Sequence, residues 1–282
     1  MDDDEQIRNA AEAVNAAQAL LITAGAGMGV DSGLPDFRGK DGFWRAYPII
    51  AKLGLSFHQM ANPEWFDKSP ELAWAFYGHR LNLYRQTSPH IGFVQLLNLA
   101  AQKPGGYFVF TSNVDGQFQK AGFSPERIVE CHGSIHHFQC CHRCVDEIWD
   151  ATGENVVVDE SCFRAALPLP LCKRCSGLAR LNILMFEDSE WLRHRTDMQH
   201  GNLRSWLDNL DAHSIPLAVI ELGAGTALSR VRHTSEQIAA QFRYPLVRIN
   251  PREPNVPSGQ TGLPFGAAEG ISKICLTKLP RP

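Results

Sequence analysis

The chain has 282 residues, 44% of them hydrophobic and 20% charged, with a formal net charge of −3. This is the composition of a globular chain long enough to bury a real core. The charge gives no electrostatic case for nucleic acid, and no apolar run approaches the roughly 20 residues that a membrane span needs. The first residues, Met1-Asp2-Asp3-Asp4-Glu5, are acidic, the reverse of a secretory or mitochondrial leader, so a cytoplasmic chain is expected. Its eight cysteines then need an explanation other than disulfides.

Residues 5–18 carry Ile7, Ala10, Ala11, Ala13, Val14 and Ala17 at helical spacing. Ala19–Ala24 is a short apolar run that predicts a buried strand. Gly25-Ala26-Gly27-Met28-Gly29 follows it directly. Glycines in that place let backbone N–H groups approach a pyrophosphate. An ordinary dinucleotide fold would continue into a helix and an acidic residue about 20 positions on. Here the chain enters Ser32-Gly33-Leu34-Pro35-Asp36-Phe37-Arg38-Gly39 instead, a loop with an acid, a ring and a base side by side. Residues 40–92 are rich in aromatics and show no strand, which predicts a helical insertion. A helix over 90–102 returns the chain to strands at 107–111 and 127–131, the second ending at His132-Gly133. Further strands are expected at 181–186, 215–222, 245–250 and 271–275.

Strands separated by helix-length spacers imply an α/β fold with a doubly wound parallel sheet. The expected organisation is a Rossmann-like domain from residues 1–39, 90–135 and 181–282. A smaller domain comprises a helical insertion with a cofactor-binding loop (40–89) and a cysteine-rich zinc-binding module (136–180). There is no internal repeat and no low-complexity tract.

Cys140, Cys141 and Cys144 precede Cys172 and Cys175 by 27 intervening residues. Two cysteine pairs around such a spacer match a tetrahedral thiolate zinc site, against the alternatives of free thiols or a redox pair. Four thiolates close the coordination sphere, so the metal would be structural. The intervening segment is expected to have no hydrophobic core of its own, so metal would supply its folding energy. C-x-x-C spacing favours Cys141, and Cys140 remains open. Cys131, Cys162 and Cys275 read as small apolar fillers.

Ser112, Asn113 and Asp115 follow the strand at 107–111, and His132 ends the next one. Carboxyl ends of parallel strands are where open α/β sheets bind ligands, so these side chains and the glycine loop should share a crevice. A histidine there can serve as a general base near neutral pH.

These residues resemble one family, the sirtuins, NAD-dependent protein deacylases. The matching segments are Gly25-Ala26-Gly27, Ser32 to Gly39, Thr111 with Asn113-Val114-Asp115, Ala121-Gly122, His132-Gly133-Ser134, the cysteines and Ile249-Asn250. Pro63 and Trp74-Ala75-Phe76-Tyr77 also look like that family, and the likeness runs from about residue 10 to about 276. The resemblance implies that the acyl oxygen of a modified lysine attacks the nicotinamide-bearing ribose carbon of NAD. His132 then deprotonates the ribose, and free lysine, nicotinamide and 2′-O-acyl-ADP-ribose leave. It implies that Asn113 holds the ribose and a water, Asp115 the nicotinamide amide, and Gly25, Ala26, Gly27 and Arg38 the phosphates, within a loop that includes Asp36. Phe37 would shield the ribose face, Ser112 would face the ribose, and Gly225, Thr226 and Asn250 would line the adenosine side. It also implies structural zinc on Cys140, Cys144, Cys172 and Cys175, and an acyl-lysine protein or peptide as substrate. Neither nucleic acid nor membrane is expected as a partner.

The chain departs from the family pattern in places. Ser112 stands where glutamine is usual, Gly29 where serine is common, and Phe118 where histidine or glutamate is usual. Ala227 replaces a frequent serine and Ala268 a frequent cysteine. Phe186-Glu187-Asp188 stands where Phe-Gly-Glu pairs with substrate backbone, which puts a charged side chain in the path of a peptide strand. Arg45 and Tyr47 are candidates to meet an acidic acyl chain, against the plainer reading of a loop that closes over NAD. Ser112 and Glu187 motivate an alternative activity, NAD glycohydrolase or ADP-ribosyltransferase on the same scaffold. A non-catalytic NAD sensor is disfavoured because Asn113, Asp115 and His132 are all present.

Overall fold

Strand β1 (Ala19–Ala24) is buried at all of its positions, as a central strand covered on both faces must be. The structure is a computed structural model that describes residues 2–36 and 39–277, with side chains left undescribed at 39–41. The expected site residues Phe37 and Arg38 lie outside the described residues. β1 is joined in one parallel sheet by β2 (Tyr107–Thr111), β3 (Ile128–Glu130), β9 (Leu217–Leu222), β10 (Leu246–Ile249) and β11 (Thr261–Leu263). The order is β11-β10-β9-β1-β2-β3, every pair parallel. The chain therefore builds outward from β1 on one side, then restarts beside β1 with β9 on the other. This is the doubly wound arrangement expected from the strand spacing.

Helices cover both faces. Leu20 and Ile22 point into a core with Ile7 and Val14 of α1 (Asp3–Ala16), Phe93 and Leu96 of α7 (Ile91–Ala101), and Ile271 and Ile274 of α11 (Ala267–Leu276). Leu21 points the other way, against Leu203 and Trp206 of α9 (His194–Ala212) and Val231 and Ile238 of α10 (Arg230–Phe242). Strand alternation thus feeds two separate cores. Among the described residues no helix is long and apolar enough to cross a membrane.

The insertion comprises α2 (Gly39–Ala46), α3 (Pro48–Lys52), α4 (Phe57–Met60), α5 (Trp65–Lys68) and α6 (Pro70–Gln86). It packs on a three-stranded sheet of order β5-β4-β8, made from β4 (Gly133–Cys140), β5 (Trp149–Asp150) and β8 (Ala179–Ile183). A ribbon of β6 (Val158–Asp159) and β7 (Arg164–Ala165) adjoins α6. Helix α8 (Gln117–Lys120) follows β2.

Three expectations are corrected here. The strand at 181–186 does not resume the main sheet: β8 pairs antiparallel with β4. Residues 271–275 are helical, with Ala267, Gly270, Ile271 and Ile274 buried at helical spacing, and the last strand is β11. Residues 136–180 do not lack a core. Phe138, Ala151, Val156, Phe163, Leu169 and Ala179 share one with Phe43, Tyr47, Trp74, Phe76 and Tyr77 of the insertion. The Trp74 indole N–H closes that union by donating to the Ala179 carbonyl at 3.1 Å.

Candidate active site

The winding direction reverses between β1 and β9, and open α/β sheets bind ligands outside the carboxyl ends of strands at that switch. The two loops leaving these strands touch backbone to backbone. A Cβ on Gly25 would stand 2.8 Å from the Ala224 Cα, and one on Gly27 2.6 Å from the Gly223 Cα. These glycines therefore serve loop-to-loop contact, in addition to the phosphate approach expected from their place after a strand.

Beside them, β2 ends in a hydrogen-bonded turn. The Thr111 hydroxyl donates to the Ala24 carbonyl at 3.0 Å and accepts from the Asn113 N–H at 3.0 Å. The Asn113 carboxamide donates to the Gly25 carbonyl at 3.0 Å, which ties it to the glycine loop. Asp115 is buried, and its Oδ1 accepts from the Gln117 N–H at 2.9 Å. Burial lifts its carboxyl up to about 6, with the nearby Glu130 charge adding to the rise and the Gln117 hydrogen bond and Arg80 opposing it.

His132 lies in the two-residue turn, Cys131-His132, between β3 and β4. Gly133 (φ +76°) is obligatory, because a Cβ there would sit 2.1 Å from the Asn182 carbonyl oxygen. That contact seats the turn on β8, and the Leu184 N–H donates to the His132 carbonyl at 2.9 Å. Burial, then the charge of Arg230, push the imidazole down to about 4, while a hydrogen bond to the Ser112 backbone opposes them. His132 is therefore neutral at physiological pH, the form a base requires.

Gly25, Ala26, Asp36, Ser112, Asn113, Asp115, His132, Gly225 and Thr226 all line one cavity of about 770 Å³. Gly27, Asp36 and Asn250 line a second, of about 590 Å³, and Leu34, Pro35 and Asp36 form a wall common to both. The described site residues thus divide between two adjoining cavities, with Gly27 and Asn250 in the second only. Asn250 also braces its own loop: its carboxamide donates to the Ala224 carbonyl at 2.8 Å and accepts from the Arg252 and Glu253 N–H groups. Thr226 is held by Glu253, whose carboxylate accepts from its N–H at 3.1 Å and its hydroxyl at 2.7 Å.

The cation in the first cavity is one that sequence reasoning missed. Arg80 of α6 is buried, and its Nε and Nη2 donate to the Tyr84 hydroxyl at 3.2 and 3.0 Å. Its guanidinium also lies 5.3 Å from the Phe76 ring centroid. Tyr77, Arg80 and Tyr84 all line the cavity, and the buried Tyr77 hydroxyl has no hydrogen-bond partner. Their spacing on one face of a helix was the available signal. Tyr47 instead is buried in the insertion core, bonded to His79 at 3.2 Å, and Arg45 lines the second cavity.

The sulfurs of Cys140, Cys144, Cys172 and Cys175 lie within 4.8 Å of one another. The Cys144–Cys172 and Cys140–Cys175 separations are 3.6 and 3.8 Å. Tetrahedral zinc thiolate places sulfurs roughly 3.8 Å apart, so the quartet fits a structural zinc ion with no open position. Cys141, which C-x-x-C spacing favours, lies outside the quartet and packs against the shared core.

A family model described as Sir2 family matches residues 25–203, which spans the glycine loop, the β2 turn, His132 and all four clustered cysteines. The chain belongs to the Sir2 family. An NAD-dependent protein deacylase of Aquifex aeolicus is 30% identical over 170 residues, 60% of this chain and 62% of that protein. The chain thus spans less than two thirds of that relative's length. A protein of the same description from Thermus thermophilus is 25% identical over 278 residues, 96% of this chain and 94% of that one. The fold is that of a Sir2 homologue mutant solved with ADP-ribose, with TM-score 0.71, 23% identity, and coverage of 98% of this chain and 95% of that one.

Within the family frame, Glu187 is informative. By the resemblance it stands where glycine is usual, and its own backbone is left-handed, φ +58°, a strained conformation for a residue with a Cβ. Its carboxylate accepts from the Asn62 carboxamide at 3.0 Å, and the Phe186 N–H donates to the Ala61 carbonyl at 2.9 Å. Asp188 turns inward to an ion pair with Arg180 at 2.6 Å, both side chains buried.

Proposed function

We propose that the chain is an NAD-dependent protein lysine deacylase in which His132 is the base. The observation that carries this reading is the convergence of Asn113, Asp115 and neutral His132 on the cavity at the switch point, with a second cavity continuing past Asp36. NAD, when bound, would supply nicotinamide as a leaving group and a sugar carbon able to accept the acyl oxygen. Gly25, Ala26, Gly27 and, by resemblance, Arg38 would hold its phosphates, within a loop that includes Asp36, with Gly225, Thr226 and Asn250 on the adenosine side. Phe37 would shield the sugar by the same resemblance. Asn113 and Ser112 would orient the ribose, and buried Asp115 would take the nicotinamide amide. His132 would accept a proton from a ribose hydroxyl. The walls of the cleft would keep bulk water from the reacting carbon.

The division into a Rossmann-like domain, an insertion and a zinc module, and a cytoplasmic location, belong to the same reading. It is supported by the two relatives described as NAD-dependent protein deacylases. The test is nicotinamide release with and without an acylated lysine peptide, with products identified by mass spectrometry. Deacylase action requires release that depends on the peptide and yields free lysine. Release indifferent to the peptide overturns it in favour of NAD hydrolysis.

The same cavity bears on the acyl chain. A carboxyl-terminated acyl group would meet the Arg80 guanidinium and satisfy the Tyr77 hydroxyl, both buried in the cavity wall. Hydrogen bonds to buried charged groups contribute about 1.5–3 kcal/mol. Arg80→Met is therefore expected to lower kcat/KM for a succinyl-lysine peptide roughly 10- to 100-fold while changing the acetyl-lysine rate much less. Equal losses on both peptides would show that Arg80 only supports the fold.

A further inference from the structure

An ion pair stands at the wall between the two cavities. Asp36, which lines both cavities, pairs with Arg252, which lines the second. Asp36 follows the glycine loop, and Arg252 lies in the segment between β10 and β11. Gly27 and Gly223, which line the second cavity, meet where no side chain fits. A ligand long enough to occupy both cavities has to pass the wall that Asp36 shares, and so the pair.

We infer that Arg252 is a diphosphate-binding residue stored on Asp36, and that it exchanges the carboxylate for the cofactor's diphosphate when the cleft is loaded. This rests on the reading of the cleft as an NAD site and adds to it a residue outside the glycine loop. The two ends of the pair are unequal, with the Arg252 side chain 59% exposed and that of Asp36 19%. A pair so open to water contributes little to stability and breaks readily. A guanidinium, by contrast, engages a phosphate through two parallel hydrogen bonds, and that geometry favours the new partner over a solvated carboxylate.

The other charges facing the cavity fit the exchange. Asp31 is already committed, its Oδ2 accepting from the Ala268 N–H at 2.8 Å at the start of α11. Arg45 stands on α2 and lines the same cavity, so an entering anion meets cations from two elements. Asp36 is the carboxylate that would compete with it.

The exchange makes predictions of opposite sign for the two partners. Calorimetric titration of the full-length protein with ADP-ribose is the test, with adenosine as the uncharged comparison. Arg252→Gln is expected to weaken ADP-ribose about tenfold, and Arg252→Lys by less, since it keeps the charge and loses the fork. Asp36→Asn is expected to tighten ADP-ribose about threefold, because the competitor is removed. Adenosine affinity should move by less than twofold in each. Arg193→Ala, which breaks an exposed pair with Asp197 on the surface, should leave both ligands unaffected. Weakening by Asp36→Asn and Arg252→Gln alike would show a structural clasp and overturn the exchange. So would an unchanged affinity in Arg252→Gln. Failure of the wild-type protein to bind ADP-ribose at all would overturn the NAD reading together with the inference.

Discussion

His132→Ala is expected to lower peptide deacylation at least about a hundredfold while leaving NAD binding largely intact, within the range for loss of a general base. The imidazole lines the cavity wall and bonds to the Ser112 backbone, so its removal takes away a proton acceptor without dismantling the glycine loop. Burial and the Arg230 charge hold it near 4, well below the ordinary histidine value. The base is therefore available at all pH values above that, and activity dependent on it is lost as pH falls through about 4. Asp115, lifted by burial to about 6, ionises as pH rises through that value. A rising limb of kcat/KM near pH 6 would belong to Asp115, and Asp115→Asn would remove it while His132→Ala would not. The depressed histidine also has a stability signature. Folding favours its neutral form, so its contribution is full above the unfolded value and declines as pH drops from about 6.5 toward 4. Asp115, with its raised value, acts in the opposite sense between about 4 and 6. Unchanged turnover in His132→Ala would remove this residue from the mechanism.

The parts of this site legible in the sequence are those set by local rules. β1 declared itself because a strand covered on both faces must be apolar at each position, and Ala19–Ala24 is. Asn113, Asp115 and His132 followed from sitting at strand carboxyl ends, a property of position along the chain. What stayed hidden was set by partners distant in sequence. Residues 181–186 have strand composition, but nothing in them says that the neighbour is β4 and not the main sheet. Ile271 and Ile274 are spaced for a helix face, yet the short run around them also resembles a strand. β11 is three residues with a central glycine, too little for any periodicity. Arg80 lay on a readable helix face with Tyr77 and Tyr84, but that this face looks into the cleft depends on how the insertion packs against β4 and β8. C-x-x-C spacing likewise pointed to Cys141, whereas Cys140 joins the quartet. Adjacent residues at the end of β4 point apart, and only the paired register, Cys140 opposite Ala179, settles which turns toward the second cysteine pair.

Removal of metal is expected to cost both the cysteine loops and the activity, by one physical route. β4 runs from Gly133, beside the base, to Cys140 in the quartet, with a register shift against β8 between Ser134 and Phe138. Its far end is held by the β8 pairing and by whatever joins Cys140 to Cys144, Cys172 and Cys175. Structural zinc contributes roughly 10 kcal/mol or more in small isolated modules. Here the contribution should be smaller, because Phe138, Ala179 and Leu181 are also secured by the insertion's aromatic core. Cys172→Ser or exhaustive chelation should therefore release the loops around 140–144 and 172–178 without unfolding the parallel sheet. The expected record is one equivalent of zinc lost, increased hydrogen exchange confined to those loops and the end of β4, and a Tm lowered by about 10 °C or more. Turnover should fall with the metal, since a frayed β4 no longer fixes the turn at His132 and Gly133. Cys141→Ser, outside the quartet, should leave metal content and rate unchanged. Metal-free protein that keeps its exchange protection and its Tm would show that the thiols hold no structural ion, and Cys141→Ser that loses zinc would return the ligand choice to the C-x-x-C spacing.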